Sequence, residues 1–173
     1  MGRLKGKMAY ITGGAKGLGA DMARCFSDEG AQVMISDVLV AEGEALAEEN
    51  ANIAFIKHDV TDEESWKHAM SAIEDRFGGL DILVNNAGIA QAPATIEELT
   101  LDDWHRVISV DLDSVFLGCK HGIGLMKKSK NGSIINISSI LGIVGSGMGQ
   151  AGYHAAKGGV RTLSKAVALE CAA

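Results

Sequence analysis

The stretch Met8-Ala9-Tyr10-Ile11-Thr12-Gly13-Gly14-Ala15-Lys16-Gly17-Leu18-Gly19 decides how the chain is read. Its first five residues form a short apolar run of strand length, and a glycine cluster closes it. From Leu18 to Glu29 the spacing turns helical, with Leu18, Met22, Cys25 and Phe26 expected on one face. Glycines between a strand and a helix let the backbone turn tightly and approach a pyrophosphate closely. The helix N-terminus behind them offers unpaired N–H groups and the positive end of a dipole. Gly13, Lys16, Gly17, Leu18 and Gly19 are therefore candidate dinucleotide contacts. The competing reading is a glycine-rich turn with no ligand.

The alternation continues downstream. Gly30 is placed to stop the first helix, and Gln32 to Ser36 reads as a second strand ending at Asp37. Val40 to Glu49 reads as a helix and Asn52 to Lys57 as a third strand. Asp62 to Phe77 is a helix with an acidic first turn, ended by Gly78 and Gly79. Asp81 to Val84 is a fourth strand, followed by a loop that holds the lone proline, Pro93. One long helix is expected from about Leu101 to Lys128, and a fifth strand from Ser133 to Ile137. A glycine-rich segment, Gly142 to Gly152, leads into a last helix from Tyr153 to the C-terminus. Each strand is a continuous apolar run, the mark of a parallel sheet covered on both faces. The expected fold is α/β, a doubly wound, Rossmann-like parallel sheet with right-handed crossovers, as one domain over residues 1–173.

Composition narrows the function. A chain of 173 residues suits one domain, and 47% hydrophobic with 22% charged residues is globular. About 12 glycines are expected at ordinary usage, and there are 22. A net charge of -6 argues against a nucleic-acid partner. The nearest thing to a basic cluster, Lys127, Lys128 and Lys130, lies where a helix ends and suits its dipole. No apolar run has membrane-spanning length, and Met1 to Lys7 has no apolar core of a secretory signal. Cys25, Cys119 and Cys171 and the five histidines have no metal spacing, so no metal site is expected. Buried free thiols in a reducing cytoplasm are the expectation.

Asp37 ends the second strand 18 residues after Gly19. A carboxylate there accepts from the adenosine ribose 2′-OH and repels a 2′-phosphate, which favours NAD over NADP. Lys16 is the one signal against that choice. Near the C-terminus, Tyr153 and Lys157 are four residues apart on a helix and face one way. An unperturbed phenol titrates near ~10, and an ammonium beside it favours the phenolate. Tyr153 then serves as base for an alcohol or acid for a ketone. Alone, such a pair is more often a solvated helix face.

Together these motifs resemble the short-chain dehydrogenase/reductase family, over the chain from Leu4 to Ala173. The loop Thr12 to Gly19, Asn85-Asn86-Ala87-Gly88, Ser138-Ser139 and Tyr153-His154-Ala155-Ala156-Lys157 follow the family's order. The resemblance implies an NAD-dependent oxidoreductase that interconverts a secondary alcohol and a ketone by hydride transfer. Ser139 would hold the substrate oxygen, with Tyr153 and Lys157 catalytic and also touching the nicotinamide ribose. Asp59 and Val60 would flank the adenine, and Asn86 and Gly88 would line the nicotinamide ribose side.

Two departures from the family stand out. The family's relay asparagine is Asp111 here, between Val110 and Leu112; a carboxylate either holds a water or pairs with Lys157 and weakens its effect on Tyr153. Ser139 precedes Tyr153 by 14 residues, one more than the family usually shows. Ser138 is the poorer candidate, because alternation turns it the other way.

The resemblance also implies ~250 residues in whole members, with a sixth strand, a Pro-Gly turn, a mobile substrate loop and a seventh strand. The sequence therefore lacks the last third implied by the resemblance: either it is part of a longer chain or it is a true truncation, and a truncation would expose the edge of the fourth and fifth strands, which invites association. The small, apolar segments Ile89 to Ala92 and Leu141 to Met148 are expected to line the pocket, which suits a cyclic or steroid-like alcohol or ketone. The alternatives are an NADP-linked 3-oxoacyl-type reductase and an inactive dinucleotide-binding module. A homodimer or homotetramer through the two long helices is the implied assembly, with no membrane partner.

Overall fold

The computed structural model describes residues 2–129 and 132–172; Lys130 of the basic cluster, with Met1, Asn131 and Ala173, lies outside them. Five strands, β1 (Met8–Thr12), β2 (Gln32–Asp37), β3 (Ile53–Lys57), β4 (Ile82–Asn85) and β5 (Ser133–Asn136), form one sheet in the order β3-β2-β1-β4-β5. All neighbours are parallel, with Tyr10 paired to Met34 on one side and Leu83 on the other. The doubly wound α/β expectation holds. The order reverses between β1 and β4, and that reversal opens a crevice over the carboxyl ends of the strands.

Alternation along β1 divides the core. Ala9 and Ile11, with Val33, Ile35 and Val84, face α1 (Gly17–Asp28) and α2 (Val40–Glu49). Tyr10, with Met34 and Leu83, faces the other layer: Trp66, Ala69 and Ile73 of α3 (Glu63–Phe77) and Leu117 and Leu125 of α5 (Ser114–Met126). Asp62 caps α3 by accepting from the N–H groups of Glu64 and Ser65, and Gly78 closes it in a left-handed conformation (φ 75°). Gly30, at φ 93°, ends α1 in the same way.

Three expectations need correction. The buried face of α1 is Gly19, Ala20, Ala23 and Ser27; of the expected row, Met22 and Phe26 pack partly against the core, while Leu18 and Cys25 are exposed. Small residues let the helix backbone settle close on the sheet, and Leu18 is left 72% exposed beside the glycine loop. The long helix runs unbroken from Leu101 to Met126 but is not regular: α4 (Leu101–Ile108) continues into α5 through one wide π-type turn, Ser109–Asp113. Its cause is tertiary: Asp111, in the middle of that turn, is fully buried and bonded to groups outside the helix. Among the cysteines only Cys119 is buried; Cys25 and Cys171 are exposed.

The last helix, α6 (Ala151–Cys171), starts two residues ahead of Tyr153. It packs on α5 through Val115, Cys119 and Val160. No helix among the described residues is long and apolar enough to cross a membrane.

Candidate active site

The glycine loop closes on the segment that follows β4. Gly13 (φ 64°) leaves so little room that a Cβ would lie 2.8 Å from Cα of Ala87. A Cβ on Gly19 would lie 2.2 Å from the carbonyl oxygen of Gly13. Only glycine permits both contacts and the left-handed turn. Asn86 donates from Nδ2 to the carbonyls of Thr12 and Gly13 (2.9 and 3.1 Å). Thr12 Oγ1 in turn accepts from the N–H groups of Asn86 and Ala87, both at 3.1 Å. Asn86 thus acts first as a buttress of the loop. Thr12 opens the glycine cluster in the sequence, yet its role as the hydroxyl that joins the two segments carries no sequence signal of its own.

The open side of this loop fits the pyrophosphate of a dinucleotide. The position of a Cβ on Gly17 (φ 54°) meets nothing within 4 Å. Lys16, the N-cap of α1, gives no side-chain bond to the helix, so the first-turn N–H groups of Gly17, Leu18 and Gly19 are not capped by it. At the end of β2 the Asp37 carboxylate accepts from Ala15 N–H (3.2 Å) and Leu39 N–H (3.2 Å), fixing it at the rim of the loop. Lys16 points its ammonium to Glu42 of α2, 2.6 Å away.

Asp59 accepts from the N–H and hydroxyl of Thr61 (2.9 and 2.7 Å), and these bonds hold its carboxyl below the usual range. Val60 is buried, and its carbonyl accepts from the indole N–H of Trp66 (2.9 Å). Behind them lies a buried polar cluster: the Tyr10 hydroxyl is 2.8 Å from Ser36 Oγ and 2.7 Å from Nδ1 of His58. Burial holds His58 down at about 4 and pushes the phenol of Tyr10 up.

The second half of the site gathers around α6. Lys157 is buried, and its Nζ lies 2.9 Å from Oδ1 of Asp111 and donates to the carbonyl of Ile137 at 3.2 Å. That Nζ also lies 5.6 Å from the centroid of the Tyr153 ring. The other Asp111 oxygen accepts from Ile89 N–H at 3.1 Å. Of the two open roles for Asp111, the structure shows the pairing. Ser138 donates to the carbonyl of Lys157 (2.8 Å), so its hydroxyl serves the helix backbone. Ser139 accepts from Leu141 N–H (3.1 Å), which leaves its own proton free to point elsewhere. The loop between Ser139 and Tyr153 contains a 3₁₀ turn, Ile140–Gly142, and Gly149 at φ 66°.

Gly88 joins the halves. A Cβ there would lie 2.7 Å from Oδ1 of Asp111 and 3.4 Å from Nζ of Lys157. One short segment therefore bonds the glycine loop at Asn86 and abuts the lysine pair at Gly88. Within the segments expected to line a pocket, Ile143 and Val144 face solvent, but Gln91 is buried and turned toward α6. Two recesses lie away from these groups. One of about 450 Å³ sits among Leu4, Phe26, Ile82 and Ile135, and one of about 1070 Å³ runs along β5 and α6 past Ile134 and Val167.

A family model for short chain dehydrogenases matches residues 7–173. The chain is similar to a 3-alpha-(or 20-beta)-hydroxysteroid dehydrogenase of Mycobacterium tuberculosis, with 46% identity over 98% of this chain and 65% of that protein. It is also similar to an NADP-dependent (R)-specific alcohol dehydrogenase of Lentilactobacillus kefiri, with 44% identity over 98% of this chain and 68% of that protein. The solved structure of gox2181 superposes with a TM-score of 0.95 at 30% identity, covering 98% of this chain and 68% of that one. The chain thus spans about two thirds of the length of the relatives it matches.

Proposed function

The chain belongs to the short chain dehydrogenase family, and from that premise we propose that it is an oxidoreductase interconverting a secondary alcohol and a ketone with NAD. The observation that carries this reading is the segment Asn86-Ala87-Gly88, which sets a phosphate-binding loop and a tyrosine–lysine pair against one another. When bound, the nicotinamide supplies the acceptor or donor of the hydride.

The chain's own residues handle the oxygen and its proton. Tyr153 takes the hydroxyl proton of the alcohol, or returns it to the ketone oxygen. Ser139 donates a hydrogen bond to that oxygen and fixes it against the phenol. Lys157 places its ammonium 5.6 Å from the centre of the Tyr153 ring. Asp111 and the Ile137 carbonyl hold the ammonium in place, so the lysine cannot swing away from the phenol. Gly13, Lys16, Gly17, Leu18, Gly19, Asp37, Asp59, Val60, Asn86 and Gly88 are the proposed dinucleotide contacts.

Asp37 at the loop rim supports NAD, and the Lys16–Glu42 pair adds to it by occupying the nearby ammonium. Ile140, Ile143, Val144 and Met148, all exposed beside Ser139 and Tyr153 along the chain, favour an apolar, cyclic or steroid-like substrate. Assembly as a homodimer or homotetramer and a cytoplasmic place belong to the same reading.

The test is to mix the chain with NAD or NADP and a panel of secondary alcohols at alkaline pH, following absorbance of the reduced cofactor. Turnover with NAD, abolished in Tyr153→Phe while cofactor binding persists, is the expected result. Turnover with NADP alone would overturn the role of Asp37. Unchanged turnover in Tyr153→Phe would overturn the mechanism, and NAD binding without any turnover would favour the inactive module.

A further inference from the structure

Tyr153 and Lys157 stand on the same helix but are held by different means. Lys157 lies one turn inside α6, buried and fixed by Asp111 and Ile137. Tyr153 is the third residue of α6, in the turn whose N–H groups have no partner within the helix. Helix ends fray at almost no free-energy cost unless something caps them. The N-cap of α6 is Gln150, and its side chain makes no capping bond.

The cap comes from another part of the chain. Gln91, 62 residues earlier, is 2% exposed, and its Oε1 accepts from the Tyr153 N–H at 3.0 Å. The same amide donates from Nε2 to the Gly149 carbonyl at 3.4 Å. The arrangement is reciprocal: Gln150 Nε2 donates to the Gln91 carbonyl at 2.9 Å, and Ala94 N–H donates to the Gly149 carbonyl at 2.9 Å. Two glycines make room for it. A Cβ on Gly152 would lie 2.8 Å from Oε1 of Gln91, and one on Gly149 would lie 2.7 Å from the Ala94 carbonyl oxygen.

We infer that Gln91 is the positioning residue for Tyr153, setting the height and rotation of the first turn of α6 so that the phenol meets the substrate oxygen. The glutamine acts through the Tyr153 backbone. This rests on the reading of Tyr153 as the acid–base group. A neutral amide is suited to the task, because it accepts from the helix and donates to Gly149 at once.

Two variants separate positioning from bulk packing. Gln91→Met keeps the shape and removes the acceptor; Gln91→Glu keeps an acceptor at the helix N-terminus. Steady-state kinetics with NAD and a secondary alcohol should show kcat lowered on the order of tenfold to a hundredfold in Gln91→Met. The KM for NAD should stay within about twofold, and Gln91→Glu, which keeps the acceptor but loses the donor to Gly149, should recover part of kcat. Amide hydrogen exchange on the same proteins reads the clasp without turnover. The Tyr153 amide should be protected relative to that of Ala151, lose this protection in Gln91→Met and keep it in Gln91→Glu. Equal kcat in wild type and Gln91→Met, an equal fall in both variants, or an unprotected Tyr153 amide in the wild type each overturns the inference. A failure of the acid–base reading shows itself separately, as unchanged turnover in Tyr153→Phe; if the wild type shows no turnover, the exchange pattern alone decides the clasp.

Discussion

β1 is buried at each of its five positions, whereas none of the four residues of β5 is. The cofactor half of the sheet, β1 to β3 with α1 and α2, is held by apolar area taken from water on both faces. The catalytic half relies much more on polar ties: Asp111 to Lys157, Ser138 to the Lys157 carbonyl, Arg161 to the Gly142 carbonyl and Gln91 to Tyr153. Burial is strong but non-directional; hydrogen bonds and ion pairs fix direction. A dinucleotide cradle needs a rigid floor, and a proton-transfer group needs to be aimed.

The largest effect that tests this contrast is Lys157→Met. It leaves the buried Asp111 carboxylate unpaired, and chemical denaturation should show a loss of about 3–5 kcal/mol. A loss below about 1 kcal/mol would mean that the polar ties do not hold the catalytic half. Next comes a matched pair of truncations. Ile35→Ala, fully buried in β2, should lose about 3–4 kcal/mol, while Ile135→Ala, 39% exposed in β5, should lose under about 1 kcal/mol. Equal losses would erase the distinction between the two strands.

Acid should strike the cofactor half. His58 is buried between Tyr10 and Trp66, and that burial places its folded-state value at about 4, against an ordinary 6.5. Unfolding therefore takes up a proton as the pH falls below 6.5. The stability present above 6.5 should shrink towards pH 4 by about 3 kcal/mol in all. Urea titrations at pH 7 and pH 4.5 measure it, and an unchanged slope in His58→Asn would assign the loss to other groups. The smallest effect belongs to Asp37→Ala, which should reduce the ratio of NAD to NADP affinity by about tenfold, near 1.4 kcal/mol. An unaltered ratio in direct binding measurements would remove the carboxylate from cofactor choice.

Most of the sheet was legible in the sequence, because each of β1 to β4 is a short apolar run and two of the helices between them carry their own stop or cap, as Gly30 for α1 and Asp62 and Gly78 for α3 show. Tyr153 and Lys157 were legible as a four-residue offset on one helix, and the structure holds the ammonium beside the ring; Asp111 came from the family resemblance alone, and its pairing with Lys157 needed the structure. The packed face of α1 was only half legible: periodicity picks out Met22 and Phe26 at its margin, whereas the closest helix-to-sheet contact falls to small residues. The wide turn in the long helix was invisible for a different reason: neither proline nor glycine marks residues 109–113, and the partners of Asp111 lie at positions 89 and 157. Gln91 escaped notice in the same way. Its partner is 62 residues distant, and a glutamine in a loop has no pattern to betray it.

The widened turn at Ser109–Asp113 also keeps a long row of side chains in phase. Val107, Asp111, Val115 and Cys119 are all buried, and each follows the last by four residues. In a regular helix a four-residue step overshoots a full rotation by about 40°, so three such steps would carry Cys119 about 120° around the axis from Val107. The wide turn absorbs most of that drift within a single coil. Regularising that turn at unchanged length would swing everything after it by about 100°, whereas excising one residue would leave a regular helix with the flanking side chains still in register.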